Sequence, residues 1–152
     1  MTVRVQTKDF DVGVEIKRMT EGKTKIGAVA SFIGLMRDVN EGQKVSAMML
    51  EHYPGMTEKA LEEIVAQAKA RWELIDVLIV HRVGELEPRD QIVLVVVASA
   101  HRGDAFAACE FLMDYLKTRA PLWKKESGKA GERWVDARES DDSAAARWDE
   151  TK

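Results

Sequence analysis

Three places in the sequence combine residue types that can do chemistry. The first is Val97-Ala98-Ser99-Ala100-His101-Arg102-Gly103-Asp104, where an apolar strand pattern runs straight into a helix start. The first N–H groups of a helix have no partner within it and carry the positive end of its dipole. His101 and Arg102 add donors and charge there, which makes an anion pocket. The competing reading is a solvated arginine beside a histidine bonded to backbone. The second place is Lys117 with Lys124. Lys117 lies one turn beyond Met113 on the same flank of a helix. Partial burial beside an apolar stripe lowers a lysine's proton affinity and suits it to nucleophilic or proton-transfer work. Lys124 follows the turn at Pro121 and can fold back toward Lys117, and two ammonium groups brought together depress each other further. The plainer alternative is that cations near a helix C-terminus simply suit the dipole. The third is Ser31-Phe32-Ile33-Gly34-Leu35-Met36-Arg37. A strand ending at glycine permits a tight turn or close approach of a ligand, and Arg37 can then grip a phosphate or carboxylate through two N–H groups. A plain strand-end loop is the alternative.

Other candidates offer less. His52 and His81 fall in or beside strands without metal-ligand companions at useful spacing and read as structural. Cys109, the single cysteine, lies on the apolar side of its helix and reads as a small hydrophobe. One cysteine excludes an internal disulfide and a multi-cysteine metal site. There is no Gly-rich phosphate loop and no Gly-x-Ser-x-Gly elbow.

The chain has 152 residues, 45% hydrophobic and 32% charged, which suits one soluble globular domain. A chain of that length buries roughly 70% of its unfolded surface and builds a core without metal or disulfide. No apolar run reaches the length of a membrane span, and the N-terminus lacks a signal-peptide core, so a cytoplasmic location is expected. A net charge of −3 disfavours a dedicated nucleic-acid binder. The average conceals a basic stretch, however. Lys117, Arg119, Lys124, Lys125, Lys129 and Arg133 stand against only Glu126 and Glu132, while the tail from Glu139 reads Glu-Ser-Asp-Asp. A basic segment in an acidic protein points to a local anionic ligand.

The elements that must position these residues follow from periodicity. Thr2–Gln6 alternates and reads as a strand; Asp11–Arg18 reads as a helix with Val12, Val14, Ile16 and Met19 inward. Ile26–Ile33 reads as a buried strand, 35–44 as a polar loop, and Val45–Tyr53 as a strand closed by Pro54-Gly55. Met56, Ala60, Leu61, Ile64, Val65, Ala68 and Trp72 mark an amphipathic helix that Thr57 can cap. Leu74–His81 and Gln91–Ser99 are strands joined by a turn over Gly84–Asp90. Arg102–Ala120 is a helix with Phe106, Cys109, Leu112, Met113 and Leu116 on one side, stopped by Pro121. Trp123–Ser127 and Glu132–Val135 can pair as a hairpin. This mixed order predicts an α+β fold, with helices packed on a largely antiparallel sheet.

Taken together, the motifs resemble the family of large, catalytic subunits of molybdopterin synthase, the MoaE family. The resemblance rests on Phe32-Ile33-Gly34-Leu35-Met36-Arg37, Leu50-Glu51-His52-Tyr53-Pro54-Gly55-Met56 and His81-Arg82-Val83-Gly84-Glu85-Leu86. It rests further on Ser99-Ala100-His101-Arg102, the run from Met113 to Glu126, and the run from Arg133 to Ser140. Arg89 departs from the glycine that the family pattern puts in its turn, and Leu35-Met36 are less polar than usual.

The resemblance implies an α/β-hammerhead-like domain over 1–138 with an additional small antiparallel sheet, followed by an acidic tail over 139–152 that can be flexible without a partner. It implies a sulfurtransferase that converts cyclic pyranopterin monophosphate (precursor Z) into the dithiolene-bearing molybdopterin of the molybdenum cofactor. The sulfur comes from a small ubiquitin-like, MoaD-like carrier with a C-terminal Gly-Gly thiocarboxylate, and two large subunits form a homodimer within a heterotetramer. By resemblance Lys117 and Lys124 are the catalytic pair. Leu35, Met36, Arg37, His101, Arg102, Lys125 and Glu126 hold substrate with them, and Phe32, Met113 and Arg138 line the pocket. No metal and no cofactor is expected in this subunit, nor any nucleic-acid or membrane partner. The reading from another class is a non-catalytic phosphate- or nucleotide-binding regulatory module that uses the same cations as plain anion contacts; a pure assembly scaffold would dispense with the lysines altogether.

Overall fold

The strand Gln91–Ser99 (β7) is buried at every position from Val93 to Ser99, and that fixes its place in the fold. In the computed structural model, which describes residues 2–128, 131–135 and 139–149, it lies inside a four-stranded sheet. The other members are β1 (Val3–Gln6), β2 (Ala28–Leu35) and β5 (Asp76–Arg82), in the order β1-β5-β7-β2. The β1–β5 pair is parallel and the other two are antiparallel. Alternate residues of β7 divide between two cores, because successive side chains of a strand point to opposite faces. Val93, Val95 and Val97 join Val77 and Ile79 under two helices, α2 (Met56–Arg71) and α3 (Arg102–Arg119). Leu94, Val96 and Ala98 join Leu78 and Val80 against Phe10 and α1 (Val12–Thr20). Both faces are covered, so β5 and β7 read as nearly continuous apolar runs.

A second, antiparallel sheet grows from the long strand β4 (Gln43–His52). It pairs with β3 (Val39–Asn40), β6 (Gly84–Leu86) and β8 (Leu122–Gly128), and β8 pairs in turn with β9 (Gly131–Val135). Met36, Val45, Met48, Leu50, Val83 and Leu86 form its own small core. The last helix, α4 (Glu139–Asp149), lies on α3. Its Trp148 packs edge-on against Trp72 and Phe111 and donates to Asp114 Oδ2 at 2.7 Å, while Tyr115 donates to Asp149 at 2.8 Å. The acidic stretch expected as a tail from Glu139 is thus helical through Asp149.

Several local expectations are corrected. β2 is an edge strand rather than a buried one: only Ala30 is buried, and Val29, Phe32 and Leu35 are exposed. The expected polar loop over 35–44 contains a hairpin instead. Asn40 faces Gln43 across Glu41-Gly42, both at positive φ, as a two-residue hairpin turn of matching twist requires. Gly84–Leu86 is a strand on β4, not part of a turn. Thr57 does not cap α2, since Gly55 holds that position. Its buried hydroxyl accepts from Tyr53 N and donates to Pro121 O, both at 3.0 Å, and so ties α2 to the exit of α3. Val14 and Phe106 point to solvent. Glu15 takes the inward place on α1 instead, held between Arg4 and Arg18.

The one departure noted in sequence has a structural cost. Arg89 has φ 79° in the turn after β6, the left-handed region that favours glycine. Its N–H donates to Met36 O at 2.8 Å, so the turn is fixed. An exposed arginine in that conformation is strained by about 1–2 kcal/mol, partly offset for glycine by its greater unfolded-state entropy. Arg89→Gly is expected to raise unfolding free energy by about 0.5–1 kcal/mol. Urea denaturation checks this, and an unchanged or lower midpoint would show that the turn carries no such strain.

Candidate active site

Pro121 sets the geometry of the site. Proline disfavours helical geometry in the residue before it, and Ala120 accordingly leaves the helix at φ −85°, ψ 136°. The chain reverses into β8, which pairs with β4 so that Leu50 faces Lys124 and Met48 faces Glu126. Lys117 in the last turn of α3 and Lys124 on β8 therefore enter the wall of one cavity of about 420 Å³. Phe32, Leu35, Met36 and Arg37 close it from the end of β2, and Met48 and Leu50 supply an apolar floor. Gly34 permits the close packing here: a Cβ on it would stand 2.8 Å from Val93 Cγ1, at the register break of β2 on β7.

Glu126 is buried and held. It accepts from Asn40 Nδ2 at 2.9 Å and from Arg133 Nη2 at 3.5 Å, while Arg133 also reaches Asn40 O and Glu41. The short β3 hairpin thus fixes a carboxylate in the wall that holds Lys124.

Other proposed site residues lie elsewhere. Lys125 alternates to the outer face of β8, where it pairs with Glu132 at 2.9 Å beside Trp134. Met113 is buried in the main core rather than in the cavity wall. His101 and Arg102 are exposed at the opposite end of α3. At 1.5 Å rise per residue, Arg102 and Lys117 are separated by roughly 22 Å along the axis. Within one chain they do not share the cavity. Arg138 lies outside the described residues.

The cavity also contains a residue that sequence reasoning set aside. His81, at the end of β5, lines it while remaining buried. Its Nδ1 bonds to Arg82 O at 2.8 Å, and since a carbonyl only accepts, the proton sits on Nδ1. Burial drives its pKa from 6.5 down to about 4; the Arg82 bond opposes the shift, and the charges of Lys117 and His52 add to it. The only available signal was its place in His81-Arg82-Val83-Gly84, because an inward position on a strand is equally that of a core residue. Burial also pushes the Cys109 thiol up to about 11, which keeps it protonated and inert. Among the described residues no group of three or more His, Cys, Asp or Glu side chains is placed to hold a metal, and no helix is long and apolar enough to cross a membrane.

Comparison with known proteins identifies the family. The family model described as MoaE protein matches residues 5–119. The chain belongs to the MoaE family. A "Molybdopterin synthase catalytic subunit" of Ralstonia nicotianae is 65% identical over 97% of this chain and 84% of its own length. A solved MoaE protein from Burkholderia ambifaria is 61% identical, covers 97% of each chain and superposes with a TM-score of 0.84. A chain from the Helicobacter pylori complex of subunits 1 and 2 of molybdopterin-converting factor is only 18% identical but shares the fold, with a TM-score of 0.73 over 91% of this chain and 92% of that one. The activity class of this MoaE chain is that of the molybdopterin synthase catalytic subunit, a sulfurtransferase of molybdenum cofactor biosynthesis.

The neutral His81 has a consequence for stability. The unfolded imidazole takes up a proton near its ordinary 6.5, whereas the native ring resists until about 4. Between these values the unfolded chain binds more protons, so stability is complete above the upper value and is lost as pH falls toward the lower one. The full interval corresponds to roughly 3 kcal/mol. Urea titrations at pH 7 and 4.5 should show wild type losing more stability than His81→Gln, by about 2–3 kcal/mol. Equal losses in the two chains would contradict a buried neutral ring.

Proposed function

We propose that the cavity between α3, β2 and β8 is where this MoaE chain moves sulfur from the C-terminal thiocarboxylate of a small ubiquitin-like carrier to cyclic pyranopterin monophosphate. One observation carries the reading. Two amines, Lys117 and Lys124, converge with Arg37 on a cavity with an apolar floor, in a chain whose single thiol is inert. Cations without a reactive sulfur suit a reaction in which the sulfur arrives on a partner and both reactants are anions. The H. pylori chain of the same fold was solved in a complex of subunits 1 and 2 of molybdopterin-converting factor, which supports a separate partner subunit.

In this reading Arg37 holds the substrate's cyclic phosphate. Lys117 meets the carbonyl end of the carrier's tail and stabilises the negative charge that develops as sulfur leaves it. Lys124, fixed on a strand beside the buried Glu126, orients the pterin and assists proton transfer. Phe32 and Leu35 flank the entrance, and glycines at the carrier's end suit a narrow approach. Two sulfurs require two loaded carriers, so the carrier must dissociate between rounds.

His101 and Arg102 enter through a second copy of the chain. They are too far along α3 to reach the cavity of their own chain. The open edge of β2 with Val29 and Phe32, and the exposed Phe106 on α3, offer an apolar surface for self-association. A homodimer would bring one chain's helix start to the other chain's cavity, and with a carrier on each chain it becomes a heterotetramer.

Lys117→Ala is expected to lose dithiolene formation by at least about 100-fold, with folding and carrier binding retained. Single-turnover assays with thiocarboxylated carrier and precursor check this, and near-wild-type turnover would reject the role. The shared site has its own test. Inactive Lys117→Ala and Arg102→Ala chains, unfolded and refolded together in equal amounts, should recover roughly a quarter of wild-type activity, since half of random dimers then hold one intact site. No recovery would place both residues in the site of a single chain.

A further inference from the structure

We propose that His81 is a positioning residue for Lys117: the Nε2 edge of its ring accepts a hydrogen bond from a water that in turn accepts from the Lys117 ammonium, and so sets where that ammonium stands in the cavity. The proposal rests on the reading of Lys117 given above and adds a residue to it. Both side chains line the same cavity, and the Lys117 charge acts directly on the His81 ring. The backbone that carries the ring is held on both sides and the ring itself at one nitrogen. Its strand pairs with both neighbours, Val5 on β1 and Val93 on β7, and Nδ1 is committed to the Arg82 carbonyl at 2.8 Å. With Nδ1 donating, the Nε2 lone pair is what the ring can offer the cavity. Among the described residues no side chain donates to it, yet it is not one of the buried polar atoms left unpartnered, the sole one of which is Arg4 Nε. Lys117, by contrast, has an exposed, four-carbon side chain that needs a fixed point to stand in one place.

The choice of residue type follows from charge. A carboxylate at position 81 would hold the ammonium more strongly, but it would also cancel the charge that an anionic thiocarboxylate or phosphate must meet. A second cation would repel the first. A neutral imidazole orients Lys117 and leaves its charge available. Burial keeps the ring neutral, and the nearby His52 and Lys117 act in the same direction.

The experiment compares wild type, His81→Leu, His81→Gln and Lys117→Ala as complete chains with thiocarboxylated carrier and precursor. His81→Leu removes the acceptor, and kcat is expected to fall about 10–100-fold with KM within about threefold. His81→Gln restores an acceptor, and kcat is expected within about fivefold of wild type. A second readout is the pH profile of acetylation of Lys117 by acetic anhydride, followed by mass spectrometry without substrate. Loss of an acceptor for the ammonium should move that profile to lower pH in His81→Leu and not in His81→Gln. Equal kcat in the Leu and Gln variants together with unmoved acetylation profiles would overturn the proposal. If His81→Leu does not fold, His81→Asn, which stays polar but lacks the reach, takes its place with the same expectations. Retained turnover in Lys117→Ala would overturn the catalytic reading of Lys117, while the acetylation profiles still decide whether His81 holds it.

Discussion

Where α3 stops decides what the molecule can do. The helix runs across the main sheet on a face of Ala105, Ala108, Leu112 and Leu116, and packing alone would let it continue. Pro121 ends it, Ala120 turns extended, and the freed Pro121 carbonyl takes the buried hydroxyl of Thr57. That hydrogen bond joins the exit of one helix to the start of another, and it is sealed from water on the Thr57 side. In such a setting an unmet partner costs more than the bond itself contributes. The reversal it anchors carries Lys124 back onto a strand facing the cavity that Lys117 enters from the helix. Without the reversal, the two amines would follow one another along a single helix and could not approach a reactant from two sides.

The cations of the chain are handled in two ways. Away from the cavity several are paired: Arg4 and Arg18 with Glu15, Lys125 with Glu132, Arg147 with Glu110 and Asp114. At the cavity, the buried carboxylate of Glu126 is engaged by Asn40 and Arg133. Its negative charge is thus partly met by its cross-strand partner Arg133 and by Asn40. Of the described cations over 117–133 only Lys117 and Lys124 line the cavity, so it is less positive than a simple count over that stretch suggests. Alternation along β8 does the sorting, because each residue's face follows from its parity. A basic run on a helix would have spread its charge around the axis instead.

The sequence was most legible where one physical rule acted alone. Gln91–Ser99 reads as a strand to the residue because a continuous β-branched run has few alternatives, and α3 reads correctly because its apolar spacing ends at a proline. The rest depended on partners that local patterns do not encode. β3 and β6 have two and three residues, and each is a strand only because β4 is beside it. Residues 139–149 look like a polar tail, yet Trp148 lands among Trp72 and Phe111, which no local rule predicts. Phe106 has the right spacing for the core and the wrong angle, so it faces water. At the site, spacing around Pro121 singled out Lys117 and Lys124 and the resemblance gave them a catalytic role, whereas the outward face of Lys125 follows only from the register of β8. His81 shows the opposite limit. Its inward position on β5 is equally that of a core residue, and only the cavity beside it distinguishes the two.

The edge strand β2 links these points. Its inner edge pairs with β7, while Val29, Phe32 and Leu35 leave apolar surface in water. An uncovered apolar edge invites pairing with another chain and is costly to keep unless something uses it. The same strand breaks register at Gly34, ends at Leu35 and delivers Arg37 to the cavity, so whatever settles against the edge also settles beside the site. His101 and Arg102 stand at the far end of the 18-residue helix α3, out of reach of the cavity in their own chain. Two features that look like defects in a single chain, an open edge and a misplaced pair of cations, are met by one arrangement. In the proposed homodimer a second copy would cover the first and bring in the other, and association would then be a part of the chemistry and not an addition to it.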